Sequence, residues 1–119
     1  MKKTVVIGAS DNPERYSYRA VRMLKQHGHP VIAVGLRKGE IDGVIIQTTQ
    51  EHVEDVDTVT LYVGPQNQEP WLNYIAQLKP KRVIMNPGTE NAHLHDFLVQ
   101  HNIEPVEACT LVMLSVGNY

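Results

Sequence analysis

The sequence predicts an α/β domain, with a doubly wound, mainly parallel sheet of five or six strands and helices on both faces. Three observations carry that expectation. Short β-branched apolar runs recur along the chain, as strands covered on both faces require. A glycine or proline follows nearly every run. Segments with helical spacing of apolar residues lie between them, and such alternation builds parallel sheets through right-handed crossovers.

Val5-Val6-Ile7 reads as the first strand. Asn12-Pro13-Glu14 then looks like a helix start: asparagine as N-cap, proline at the first helical position, an acid in the first turn. Ser17, Ala20, Val21 and Leu24 line one face, and Gly28 stops the helix. Val31 to Val34 is the second strand. Gly39 to Val56 is weakly patterned, with a turn at Glu40-Ile41-Asp42-Gly43, a short strand at Val44-Ile45-Ile46, and a loop or short helix from Gln47. Val59 to Val63 is the next strand. Pro65 to Leu78 reads as one helix burying Trp71, Leu72, Ile75 and Leu78. Val83-Ile84-Met85 follows, then a helix opened by Thr89 or Asn91 with Leu94, Phe97 and Leu98 inward. Glu104-Pro105-Val106 is a strand whose proline places it near an edge, and Thr110 to Val116 a closing helix.

With 119 residues, residues 1–119 read as a single domain. A net charge of −2 argues against a nucleic-acid or membrane-surface partner. Aromatic residues make up 6% of the chain, too few for a base-stacking platform. One cysteine, Cys109, leaves no disulfide framework and points to a reducing, cytoplasmic setting. The apolar run after Met1-Lys2-Lys3-Thr4 is shorter than the core of a secretory leader.

In an open parallel sheet, ligands bind beyond the carboxyl ends of the strands, where strand order reverses. Four strand ends here are small, polar or turn-forming: Gly8-Ala9-Ser10-Asp11-Asn12, Gly35-Leu36-Arg37-Lys38-Gly39, Gly64-Pro65-Gln66-Asn67 and Asn86-Pro87-Gly88-Thr89. Any one could be an ordinary turn. Four on one edge favour a nucleotide crevice, with phosphate over the first helix N-terminus. The dinucleotide fingerprint is broken, because Ser10 and Pro13 replace its second and third glycines. The acid that grips an adenosine ribose is missing as well, since Gly35 and Leu36 end the second strand. Arg37 and Lys38 suit instead a ribose that carries a phosphate, as in NADP or coenzyme A.

The run Ile7-Gly8-Ala9-Ser10-Asp11-Asn12-Pro13-Glu14-Arg15-Tyr16-Ser17 resembles the start of the small bacterial CoA-binding domain proteins. Leu24, Gly28-His29-Pro30-Val31, the Glu40 to Gly43 turn, Val63-Gly64-Pro65 and Asn86 to Glu90 extend the likeness over nearly the whole chain. These Rossmann-like proteins are similar to the N-terminal domain of the succinyl-CoA synthetase α subunit. The resemblance implies CoA contacts at Gly8, Ala9, Ser10 and Asp11, at Lys38, and at Val63, Gly64 and Pro65. Ala33-Val34-Gly35-Leu36 stands where these proteins carry proline-valine-asparagine-proline, and Ala108 where they carry arginine.

Asn12, Arg15 and Tyr16 join the candidate site beside the first loop, with Tyr16-Ser17 bordering the crevice, and Asn86, Pro87 and Gly88 at its far end. Tyr18 is expected on the outer surface or at an interface, two residues from Tyr16. The six histidines show no metal-ligand spacing, so no metal site is expected. Cys109 reads as a buried small residue, and Glu90 as a lone carboxylate near the crevice. The reading is a non-catalytic CoA or acyl-CoA binding module. The alternatives are an NADP-linked enzyme or sensor, and an interaction module without a nucleotide. A homodimer surface at Trp71 or Tyr74 stands against core packing for those rings.

Overall fold

The first strand is sealed on both faces. Thr4 to Ile7 are all buried, and their side chains alternate between two separate cores. The computed structural model describes Met1–Tyr119 throughout. Its strands are β1 (Thr4–Ile7), β2 (Val31–Val34), β3 (Gly39–Ile41), β4 (Val44–Gln47), β5 (Thr58–Leu61), β6 (Arg82–Met85) and β7 (Glu104–Glu107). Its helices are α1 (Tyr16–Gln26), α2 (Leu72–Leu78), α3 (Ala92–Gln100) and α4 (Thr110–Val116).

The strands form one sheet in the order β3-β4-β2-β1-β5-β6-β7. Every pair is parallel except β3 with β4. The chain leaves β1 toward β2 and β4, then returns to β5 on the other side of β1. The order therefore reverses at the β1–β5 pair. Val5, Ile7, Val59 and Leu61 meet α2 and α3 on one face, through Leu72, Ile75, Leu94 and Leu98. Val6, Ala33 and Ile46 meet α1 and α4 on the other, through Val21, Leu24 and Leu114. Each such buried side chain contributes about 1.5–3 kcal/mol. No helix is long and apolar enough to cross a membrane.

The sheet has seven strands rather than five or six. The extra strand comes from the segment read as a turn. Ile41 pairs with Val44 across a two-residue loop, Asp42-Gly43, whose φ angles are +50° and +86°. An Asp-Gly pair with both φ positive makes the tight turn that suits a hairpin's twist. Residues 48–57 are an irregular loop.

Two helix boundaries also differ. Asn12 does not cap α1: its Oδ1 accepts from the Glu14 amide at 3.0 Å, closing a local turn, and the helix begins four residues later. Pro65 to Leu78 is not one helix. Pro70 has no N–H to donate, and the segment makes 3-10 turns at Pro65–Asn67 and Glu69–Trp71 before α2. Asn91 caps α3, accepting from the His93 amide at 3.0 Å. Trp71 and Tyr74 are buried in the core and offer no outer surface. Tyr18 packs half-buried against the α1 side of the sheet, because the face that buries Val21 extends that far.

Candidate functional site

The carboxyl ends of the central strands meet in one cavity of about 590 Å³ at the point where strand order reverses. That size suits a cofactor-sized ligand. Its wall joins four loops. The β1 loop contributes Gly8 to Asn12, the start of α1 Arg15 to Ser17, and the β2 loop Leu36 and Arg37. The β5 loop contributes Tyr62 and Gly64, and the β6 loop Pro87 to Thr89.

The β1 loop is held close to the sheet. The Gly8 and Ala9 amides both donate to the Val34 carbonyl at 3.0 Å. That contact leaves no room for a side chain at the end of β2: a Cβ on Gly35 would lie 2.3 Å from the Ala9 carbonyl oxygen. An acid that grips a ribose diol therefore has no place there. Further on, the Asn12 amide donates to the Ser10 hydroxyl at 3.1 Å.

The α1 N-terminus carries no side-chain cap and no acid in its first turn. The amides of Tyr16, Ser17 and Tyr18 have no acceptor in the chain, whereas Arg19 already reaches the Arg15 carbonyl. Two of these free donors, on the wall residues Tyr16 and Ser17, and the positive end of the helix dipole thus sit at the cavity. Arg15 stands at the N-cap, and Arg37 of the β2 loop and Asp11 of the β1 loop share the cavity wall with it. Tyr16 and Leu36, 65% and 86% exposed, put apolar surface on the rim. The Arg19 guanidinium lies 5.6 Å from the centre of the Tyr16 ring, a cation–π contact.

The far wall is braced from below. Asn86 donates to Thr60 Oγ1 at 2.7 Å and to the Leu61 carbonyl at 2.9 Å, and accepts from the Thr110 amide at 2.9 Å. Gln68 is buried and donates to the Val63 and Thr89 carbonyls at 2.9 and 2.8 Å, tying the β5 loop to the β6 loop. The Tyr62 hydroxyl is sealed from solvent without a partner. Burial pushes its pKa well above the ordinary tyrosine range.

Ten of the candidate site residues line the cavity together, Gly8, Ala9, Ser10, Asp11, Asn12, Arg15, Tyr16, Gly64, Pro87 and Gly88, and Arg37, singled out as a cation for a ribose phosphate, lines it as well. Lys38, Val63, Pro65 and Asn86 lie outside its wall. Asn86 is turned inward and fully engaged, and Lys38 is exposed beyond Arg37. Glu90 is outside too, its carboxylate accepting from the Gly88 amide at 2.7 Å. Cys109, expected to be buried, is half-buried and outside the wall. Ser17, expected to border the crevice beside Tyr16, and Thr89, in the fourth of the crevice loops, also line the wall, whereas Tyr62 is legible in the sequence only as the continuation of a strand. Gln68 gave no signal at all.

Residues 2–115 match the family described as the CoA binding domain. The chain belongs to that family. No curated protein matches the chain. Among solved structures, it is 55% identical to an uncharacterized protein's crystal structure, covering 100% of this chain and 98% of that one, with a TM-score of 0.97. A hypothetical protein from Pyrococcus horikoshii OT3 shares the fold at 21% identity, 97% and 82% coverage and a TM-score of 0.87. The dinucleotide forming acetyl-coenzyme A synthetase 1 of Ca. Korarchaeum cryptofilum, in complex with phosphate and ADP, is 14% identical with a TM-score of 0.71. That match covers 89% of this chain and 25% of the synthetase chain.

Proposed function

We propose that this domain binds coenzyme A or an acyl-CoA in the cavity at the sheet's reversal point, as a carrier or sensor that catalyses no reaction itself. The observation that carries the reading is the uncapped start of α1 opening into a cofactor-sized cavity in a member of the CoA binding domain family. The diphosphate would lie over Ser10 to Asn12 and the first turn of α1, where free amides and Arg15 favour an anion. The adenosine end would run toward the β2 loop. There Arg37, rather than Lys38, would meet the ribose phosphate, since Arg37 forms part of the wall. The pantetheine arm would pass Gly64 toward Pro87 and Gly88. Membership of the family favours CoA over NADP, and a cytoplasmic setting fits a soluble cofactor.

Calorimetric titration with CoA, dephospho-CoA, NADP and NAD tests this. CoA should bind most tightly. Arg37→Ala should weaken CoA by about 1.5–3 kcal/mol, the worth of a hydrogen bond to a charged group, and Lys38→Ala by less. Binding of no nucleotide by the native protein would overturn the reading.

A further inference from the structure

We propose that Ser17 supplies a side-chain hydrogen bond to the diphosphate of the bound cofactor, alongside the open amides of α1. The inference rests on the cavity being a nucleotide-cofactor site and adds a specificity residue to it. Ser17 is only 4% exposed, yet it forms part of the cavity wall. Its hydroxyl makes no hydrogen bond within the chain. Nor is it sealed away like the Tyr62 hydroxyl, the one buried side-chain polar atom without either water access or a partner. What exposure it keeps is toward the cavity.

The reason is local. A helical serine commonly turns its hydroxyl back to the carbonyl four residues earlier. Ser115 does this in α4, donating to the Leu111 carbonyl at 2.8 Å. For Ser17 that carbonyl belongs to Pro13, in the turn before the helix starts, so the back-bond is not made. A hydroxyl that no group of the chain engages, in the wall of a cavity, is open to a partner that the cavity holds. The same wall carries the open Tyr16 and Ser17 amides and Arg15 at the N-cap. Such a set of donors matches a group built of acceptor oxygens, as a diphosphate is. Serine also holds the size of this position, because α1 packs its Ser17 face against the sheet.

The test is titration of the native protein and Ser17→Ala with CoA and with NADP, each checked by thermal unfolding without ligand. Ser17→Ala should lose about tenfold or more in affinity for the cofactor that binds, since a charge-assisted hydrogen bond is removed. Its ligand-free melting temperature should hold or rise, because alanine is the better helix former. The same loss seen with NADP as the tighter cofactor supports the diphosphate contact and changes only which nucleotide is held. Equal affinity of the variant and the native protein for a cofactor that does bind overturns the inference alone. Native protein that binds neither cofactor overturns the reading of the cavity, and this contact with it.

Discussion

Asn86 stands in a loop of the kind that rims ligand sites, and its amide serves the fold instead. It is 2% exposed and joins three elements: β5 through Thr60 and Leu61, its own strand, and the start of α4 through the Thr110 amide. Truncation would leave the Leu61 carbonyl and the Thr110 amide buried without this partner. Asn86→Ala should therefore cost about 3 kcal/mol, read as a lower urea midpoint at unchanged slope. A loss under about 0.5 kcal/mol would show that these bonds are readily replaced. The sequence could not separate this role from ligand contact, because the Asn-Pro-Gly-Thr composition suits both. Arg37 and Lys38 pose the same difficulty. They are adjacent cations, and only the backbone path after β2 decides that Arg37 enters the cavity wall. Ser17 was legible both as a buried helix residue and, with Tyr16, as a border of the crevice, and its place in the wall goes with α1 starting at Tyr16 rather than near Asn12.

At the scale of elements, the opposite edge of the sheet is closed by a cluster of rings and cations where β1 and β2 begin. The Tyr119 hydroxyl pairs with Thr4 Oγ1 at 2.6 Å, and its ring lies 4.7 Å from the Arg82 guanidinium and 4.9 Å from the His29 ring. The Lys2 amide donates to His29 Nδ1 at 3.0 Å, which requires that nitrogen to be unprotonated. Burial, and then nearby positive charges including Lys2 and Arg82, hold the His29 pKa below its usual 6.5. A base with a depressed folded pKa binds fewer protons folded than unfolded. Its stabilising effect is full above about pH 6.5 and is lost as pH falls through the lower folded value. The melting temperature should thus fall between pH 7 and pH 5, and His29→Asn, which keeps an acceptor and removes the titration, should fall less. Equal pH dependence in the two proteins would exclude His29 as the sensitive group. The helices and central strands were readable from apolar spacing, which reports burial directly. The β3–β4 hairpin was only half readable. The Asp42-Gly43 turn was visible, but Gly39-Glu40-Ile41 is held by pairing with β4 and has no strand-forming composition of its own.

Across the whole molecule, the order of the strands sets a gradient of stability. All four residues of β1 and of β5 are buried, whereas no residue of the edge strand β7 is, and the other edge, β3, buries Ile41 alone. Central strands lose their hydrogen bonds only when both layers of helices come away. Edge strands can open with one neighbour lost, and exchange then proceeds through local unfolding at lower free energy. Native-state hydrogen exchange should therefore find the slowest amides in β1 and β5, in the range of global unfolding, and faster ones in β3 and β7. The cavity spans the carboxyl ends of the buried strands β1 and β5, so its floor should exchange among the slowest parts of the protein. The β1 loop and the first turn of α1 form the side whose amides lack internal acceptors. Bound CoA should slow exchange in that turn far more than in β1, which is already limited by global opening. Protection spread evenly over the sheet would mean that ligand binding stabilises the whole fold without engaging the helix terminus.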